Sequence, residues 1–242
     1  MQSKMQFFGA AALLVSTLSL GGGCTDGEGL DLGVRGRLTL HIERESTSAE
    51  ADVFGSVNDI KSLFFPVIVF EKDQVLSVNS VKIPHLFGLH DGEIGSVNPP
   101  DTYTVTFDNK GSVKSVVVTP PADFAAFSPD NGVDVSRTGF EITWAPSGDA
   151  EVLVDVKIRG LKKVASEDDD DDEDDPTKTW KYISNLPDSG SVTIGAADLA
   201  KFLNGEIDLS VSRYRKFSGD LGLAETSIRV SCTAKRSLTL TD

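Results

Sequence analysis

The sequence predicts an all-β protein built as two antiparallel β-sandwich domains, and three observations predict it. Apolar residues recur with a period of two along many short stretches, which is the mark of a half-buried strand. Those stretches are separated by Gly, Pro, Asn and Asp, the residues that make turns. Only Ala196–Leu203 has a helical pattern, closed by Asn204-Gly205, so there is no alternation of strand and helix to build a parallel sheet.

The chain begins with a segment of a different kind. Lys4 gives a short positive start, Phe7–Leu20 is apolar or small throughout, and Gly21-Gly22-Gly23 leads into Cys24. The apolar run is roughly 14 residues, short of the about 20 that cross a bilayer core. It reads as an export leader, 1–23, that is removed. This segment resembles a bacterial lipoprotein signal peptide, with Gly23 and Cys24 in the last two positions of its cleavage box. Gly21 stands where that family usually has Leu. The resemblance implies cleavage before Cys24, a diacylglycerol thioether on its sulfur, and an acylated amine. Thr25 follows where an Asp would signal inner-membrane retention in enterobacteria, so the resemblance implies the outer membrane of the cell envelope. Gly21-x-Gly23 also fits the small-x-small site of ordinary secretion. If Cys24 is acylated, Cys232, the only other cysteine, has no disulfide partner; if Cys24 is free, a Cys24–Cys232 bridge is open to it.

Thr25–Gly33 is small, acidic and glycine-rich, so residues 24–33 read as a lipidated tether. Leu38, Leu40 and Ile42 then alternate with Thr39, His41 and Glu43. Leu63–Phe70 is apolar on both faces, and its Pro66 points to an edge or a bulge. Gln74–Ile83 is a strand ended by Pro84, and His85–Pro100 a long loop. Tyr103–Phe107 and Ser112–Val118 flank Asp108-Asn109-Lys110-Gly111, a hairpin with a short type I loop and a bulge. Thr119-Pro120-Pro121 stops the chain, which places a boundary between a first domain, 34–121, and a second, 122–242.

In the second domain Phe140, Ile142 and Trp144 alternate with Glu141 and Thr143. Val152–Ile158, Val192–Ile194, Ile207–Val211 and Ile228–Ala234 follow the same rule. Phe140–Pro146 resembles the second strand of a fibronectin type III domain, where a buried Trp precedes a Pro-containing turn. That resemblance implies an immunoglobulin-like sandwich. Ser191–Arg215 is similar to a segment of the β-sandwich in many uncharacterised envelope lipoproteins.

The formal charge of −14 argues against a nucleic-acid partner. Glu167–Asp175 is nine consecutive acidic residues, and such a run repels itself into water. Calcium capture there, as in a calcium-dependent adhesion protein, is the competing reading, but an EF-hand loop started at Asp168 puts Glu173 where Gly is required. His85, His90 and Asp91 have ligand-type side chains outside any helical metal motif, so no metal or cofactor is expected. Cys232 shares the inward face with Ile228 and Val230, as a small buried hydrophobe does. Phosphate-loop, dinucleotide and nucleophile-elbow motifs do not occur, and no catalytic residue is assigned. Trp180, Tyr182 and Tyr214 are candidate sugar-stacking aromatics, although aromatics are only 7% of the chain. The expectation is a lipid-anchored envelope protein, not an enzyme, acting as an interaction or structural module toward a protein or glycan partner. A carbohydrate-binding module is the alternative.

Overall fold

The structure, a computed structural model, describes residues 25–26, 32–61, 68–86, 89–96, 98–163, 171–172 and 175–242. Cys24, the leader and most of Leu63–Phe70 lie outside the described residues, as does all of the acidic run but 171–172 and 175.

In chain order the first elements are β1 (Thr25–Asp26), α1 (Leu32–Arg35), β2 (Gly36–Glu45), β3 (Glu50–Asp59), β4 (Ile68–Val69), β5 (Gln74–Val78), β6 (Val81–Lys82), β7 (His85–Leu86), β8 (Leu89–Gly95), β9 (Tyr103–Asn109) and β10 (Ser112–Val118). They are followed by β11 (Asp134–Ser136), β12 (Gly139–Thr143), β13 (Leu153–Lys162), β14 (Asp171–Asp172), β15 (Asp175–Pro187), β16 (Ser191–Gly195), α2 (Ala196–Leu199), β17 (Phe202–Phe217) and β18 (Glu225–Thr241). The chain is mostly β, and both described helices are single turns.

One long sheet runs β14-β15-β13-β17-β18-β2-β3-β8-β7, with β11 also on β18. A second sheet, β10-β9-β5-β6, covers one half of it, and the β12-β16 pair covers the other. Two apolar cores fill the gaps. The first gathers Leu38, Leu40, Val53, Leu76, Val105 and Phe107. The second gathers Ile142, Trp144, Val156, Leu209, Val211 and Leu238. After Val118 the chain leaves the first core, but it comes back to it: Leu221, Leu223, Ile228 and Val230 pack there. Further along β18, Ala234, Leu238 and Leu240 pack in the second core. A strand of this length spans about 55 Å, enough to serve both.

The pairing is not wholly antiparallel. β18 runs antiparallel to β17 but parallel to β2, with Ile228 opposite Leu40 and Cys232 opposite Arg44, and parallel to β11. Parallel pairing needs a long crossover; here the crossover is the entire intervening chain.

Several local expectations change. The hairpin between β9 and β10 is tighter than a bulged type I loop. Asn109 pairs with Ser112, leaving only Lys110 and Gly111, both at positive φ (54° and 90°), the mark of a type I′ turn. The Asp108 carboxylate accepts the Gly111 N–H at 2.8 Å. Gln74–Ile83 is two strands, because Asn79 and Ser80 both take positive φ and fold Val81 back on Val78. The supposed loop after His85 contains β8, which pairs with β3. The helical turn stops at Leu199, since Phe202 is buried and starts β17 opposite Lys162.

Because β18 feeds both cores, the two should unfold together. Phe107→Ala, in the first core, should cost about 3–5 kcal/mol. In a Trp180→Phe background the fluorescence of Trp144, in the second core, should report the same lowered urea midpoint. An unshifted Trp144 transition would show that the cores unfold separately.

Candidate functional site

The inner face of the long sheet changes character where the cores meet. Continuing the alternation of β2, β17 and β18 one step beyond their apolar residues gives Arg44, Arg213 and Cys232. The register sets these three side by side across the sheet. All are buried. A row of charge therefore separates the two apolar cores, and every charge in such a place needs a partner.

The partners come from loops. Arg213 pairs with Asp188 (Nε–Oδ2 3.2 Å), both side chains almost wholly buried. The same carboxylate accepts the Trp144 indole N–H at 2.6 Å and the Ser147 N–H at 2.7 Å. Arg213 also donates to the carbonyls of Asp123, at 3.0 Å, and of Ala145, and lies 4.4 Å over the Phe124 ring. Arg44 pairs with Asp123 at 2.7 Å, and the Cys232 thiol donates to that same Oδ1 at 3.2 Å. Burial raises the Asp188 carboxyl's pKa, but the Ser147 and Trp144 hydrogen bonds and the Arg213 charge outweigh it, leaving it below the usual range. Asp123 follows the same balance, with Arg44 and Cys232 as the lowering partners. Cys232 faces inward as expected, but its surroundings are ionic: burial and the Asp123 hydrogen bond push the thiol up to about 12. It is protonated at neutral pH, the wrong state for a nucleophile.

The opposite face of the sheet carries the three aromatics singled out from the sequence. Trp180 stands beside Arg159, and Tyr182 beside Lys157. Their ring centroids are 6.4 Å apart at 76°, edge to face and not coplanar. Tyr182 is 45% exposed, whereas Tyr214 is 1% exposed. Arg229 covers the Tyr214 ring at 3.6 Å, and its hydroxyl donates to Asn185 Oδ1 at 2.6 Å. Tyr182 and Tyr214 meet through Asp155. That buried carboxylate accepts the Tyr182 hydroxyl (2.6 Å), the Asn185 N–H (2.8 Å) and Arg229 Nη2 (2.7 Å). Burial first, then the bond to Asp155, pushes the Tyr182 hydroxyl up to about 12. What remains open to a ligand is the Tyr182 ring, the half-buried edge of Trp180 and Lys157, whose Nζ lies 5.9 Å from the Trp180 ring.

An open groove of about 240 Å³ lies beside the ionic row, lined by Glu45, Ser46, Thr47, Phe124, Phe127 and Lys235 among others. His85 and His90 face each other across the β7–β8 hairpin, ring centroids 5.7 Å apart. Burial, with the neighbouring His85, lowers His90 to about 4, so its ring is neutral packing against Phe70 at 4.7 Å. Among the described residues no three His, Cys, Asp or Glu side chains cluster as a metal site would.

No family model matches the chain, and no curated protein is similar to it. Among solved structures, the chain is distantly similar to the I9–I11 tandem of titin (16% identity, 84% of this chain, 65% of that one, TM-score 0.23). It is also distantly similar to the FN1–FN3 domains of chicken CNTN1 (11% identity, 80% of this chain, 66% of that one, TM-score 0.26). The chain thus spans just under two thirds of each of these tandem arrays.

Removing one member of a buried ion pair costs about 3–5 kcal/mol, so Asp188→Asn should lower urea-derived stability at pH 7 by that order. An unfolded Asp titrates near ~3.9, above the folded value. The stability from Asp188 and Asp123 is therefore complete above that pH and fades as pH falls through the folded-state value. Stability of the wild type should drop as pH falls below about 4, with a shallower slope in Asp188→Asn. Equal slopes would mean the pair contributes nothing to acid stability.

Proposed function

We propose that the chain is a lipid-anchored protein of the bacterial cell envelope, held in the outer membrane through Cys24, whose immunoglobulin-like sandwiches act as a non-catalytic interaction or structural module. The geometric observation that carries this reading is the fusion of two cores by one continuous sheet with an ionic row at the junction. A body built this way holds its two halves in a fixed relation. That suits presenting a surface at a set distance from an anchor better than closing around a substrate. The leader and the cysteine behind it supply the anchoring half of the argument; 25–33 is not wholly a free tether, since Thr25–Asp26 pairs with β4 and Leu32 is buried in the first core.

Cys24→Ser tests the anchoring directly. The wild type should sediment with membranes and enter detergent, while the variant should remain in the aqueous phase, with mass spectrometry finding acyl chains on the wild type alone. A wild type that is aqueous, or that keeps Met1, would overturn the proposal.

The exposed ring of Tyr182 beside Trp180 favours one second reading, a glycan-binding face. Sugar faces stack on such aromatics by burying apolar area. On a glycan array, Tyr182→Ala should lose at least tenfold in signal if that face binds sugar. A wild type that binds no glycan would eliminate this reading.

A further inference from the structure

The exposed edges of the described sheets are not equally protected. β15 carries Pro187 and the positive-φ Asn185, both of which obstruct strand addition. β6 and β7 are two residues each. β10 has none of these devices. It is seven residues, Ser-Val-Lys-Ser-Val-Val-Val, and among the described residues no strand pairs with it on the side away from β9.

The hairpin register decides which backbone groups are free. Asn109 and Ser112 close the two-residue loop, so Ser112, Lys114, Val116 and Val118 spend their N–H and C=O groups on β9. Val113, Ser115 and Val117 turn theirs outward. The side chains of these three share the outer face of the sheet, where Val113 is 59% and Val117 61% exposed.

We propose that β10 pairs antiparallel with β10 of a second copy of this chain, about a two-fold axis through Ser115. The strand is self-complementary about that point. Val113 meets Val117 of the second copy, Ser115 meets Ser115, and Lys114 meets Val116, so no like charges oppose one another. The outward backbone groups of 113, 115 and 117 then satisfy their own counterparts. Charge does not oppose a second copy at this place. The chain carries −14 overall, which sets most faces of two copies in repulsion, but β10 contains no acidic residue. Lys114 would oppose strand addition as an unpaired inward charge, yet its Nζ is bound to Asp220 at 2.6 Å. Dimers with an isologous interface of this kind are the common closed assembly.

Cross-linking in the full chain, with Cys24→Ser so that no unacylated Cys24 can contribute, tests the axis. Ser115→Cys should form a disulfide-linked dimer under mild oxidation, since paired Cα atoms stand about 5.5 Å apart. Thr106→Cys is the control. Its hydroxyl lies 2.9 Å from that of Ser115, but it sits one strand further in, about 14 Å from its mate, beyond disulfide reach. Equal cross-linking of the two variants, or of neither, overturns the proposal. Sedimentation of the full chain should show a dimer whose dissociation constant rises about fivefold or more in Ser115→Lys, which opposes like charges on the axis. A wild type that sediments as a monomer at every concentration also overturns it.

Discussion

Everything in this molecule leans on the guanidinium of Arg213. It stands where the two apolar cores meet, on β17 beside β18, both of which reach from one core to the other. The arginine gathers the Asp123 and Ala145 carbonyls, the Asp188 carboxylate and the Phe124 ring, and so determines where three separate loops must lie. Charge in a low-dielectric interior is tolerated only with such saturation, and the saturation is what makes the junction specific. The segment 122–124, which leads from one half to the other, is held by its backbone and not merely spanned.

Arg44 repeats the device one strand away. Its partner, Asp123, is shared with the Cys232 thiol, so the two arginines of the row are joined through a single short segment. The other face of the same sheet has its own buried carboxylate, Asp155, which draws Tyr182, Asn185 and Arg229 together. The sheet is thus clamped by ionic clusters on both faces near its midline, with apolar packing on either side.

Much of this was legible in the sequence and some of it was not, for definite reasons. Strands such as β2, β13 and β17 announce themselves because one face is uninterruptedly Val, Leu and Ile. β3 does not: Ala51, Val53 and Val57 are in phase, but Gly55 and three acidic residues dilute the pattern. β8 hides behind its buried His90 and Gly92. Arg44 and Arg213 each fall in phase with the apolar residues before them, which is the signal that marks them as interior. A single sequence gives no means of matching them with Asp123 and Asp188, which lie far away in loops. Alternation with Ser210 and Ser212 sets Tyr214 on the outer face of β17. That Arg229 would roof it depends on cross-strand register, which local pattern does not encode.

The parallel seat of β18 next to β2 governs the order in which the polypeptide can mature. Arg37 and its neighbour Glu225 are 188 residues apart. The early strands of the first half must therefore wait, with a raw margin on β2, until the closing hairpin has emerged. Contacts of such long range make for slow assembly, and half-built sheets with open margins are vulnerable to wrong pairing. Protection of that margin during folding therefore matters more to this architecture than to one that completes each half in turn.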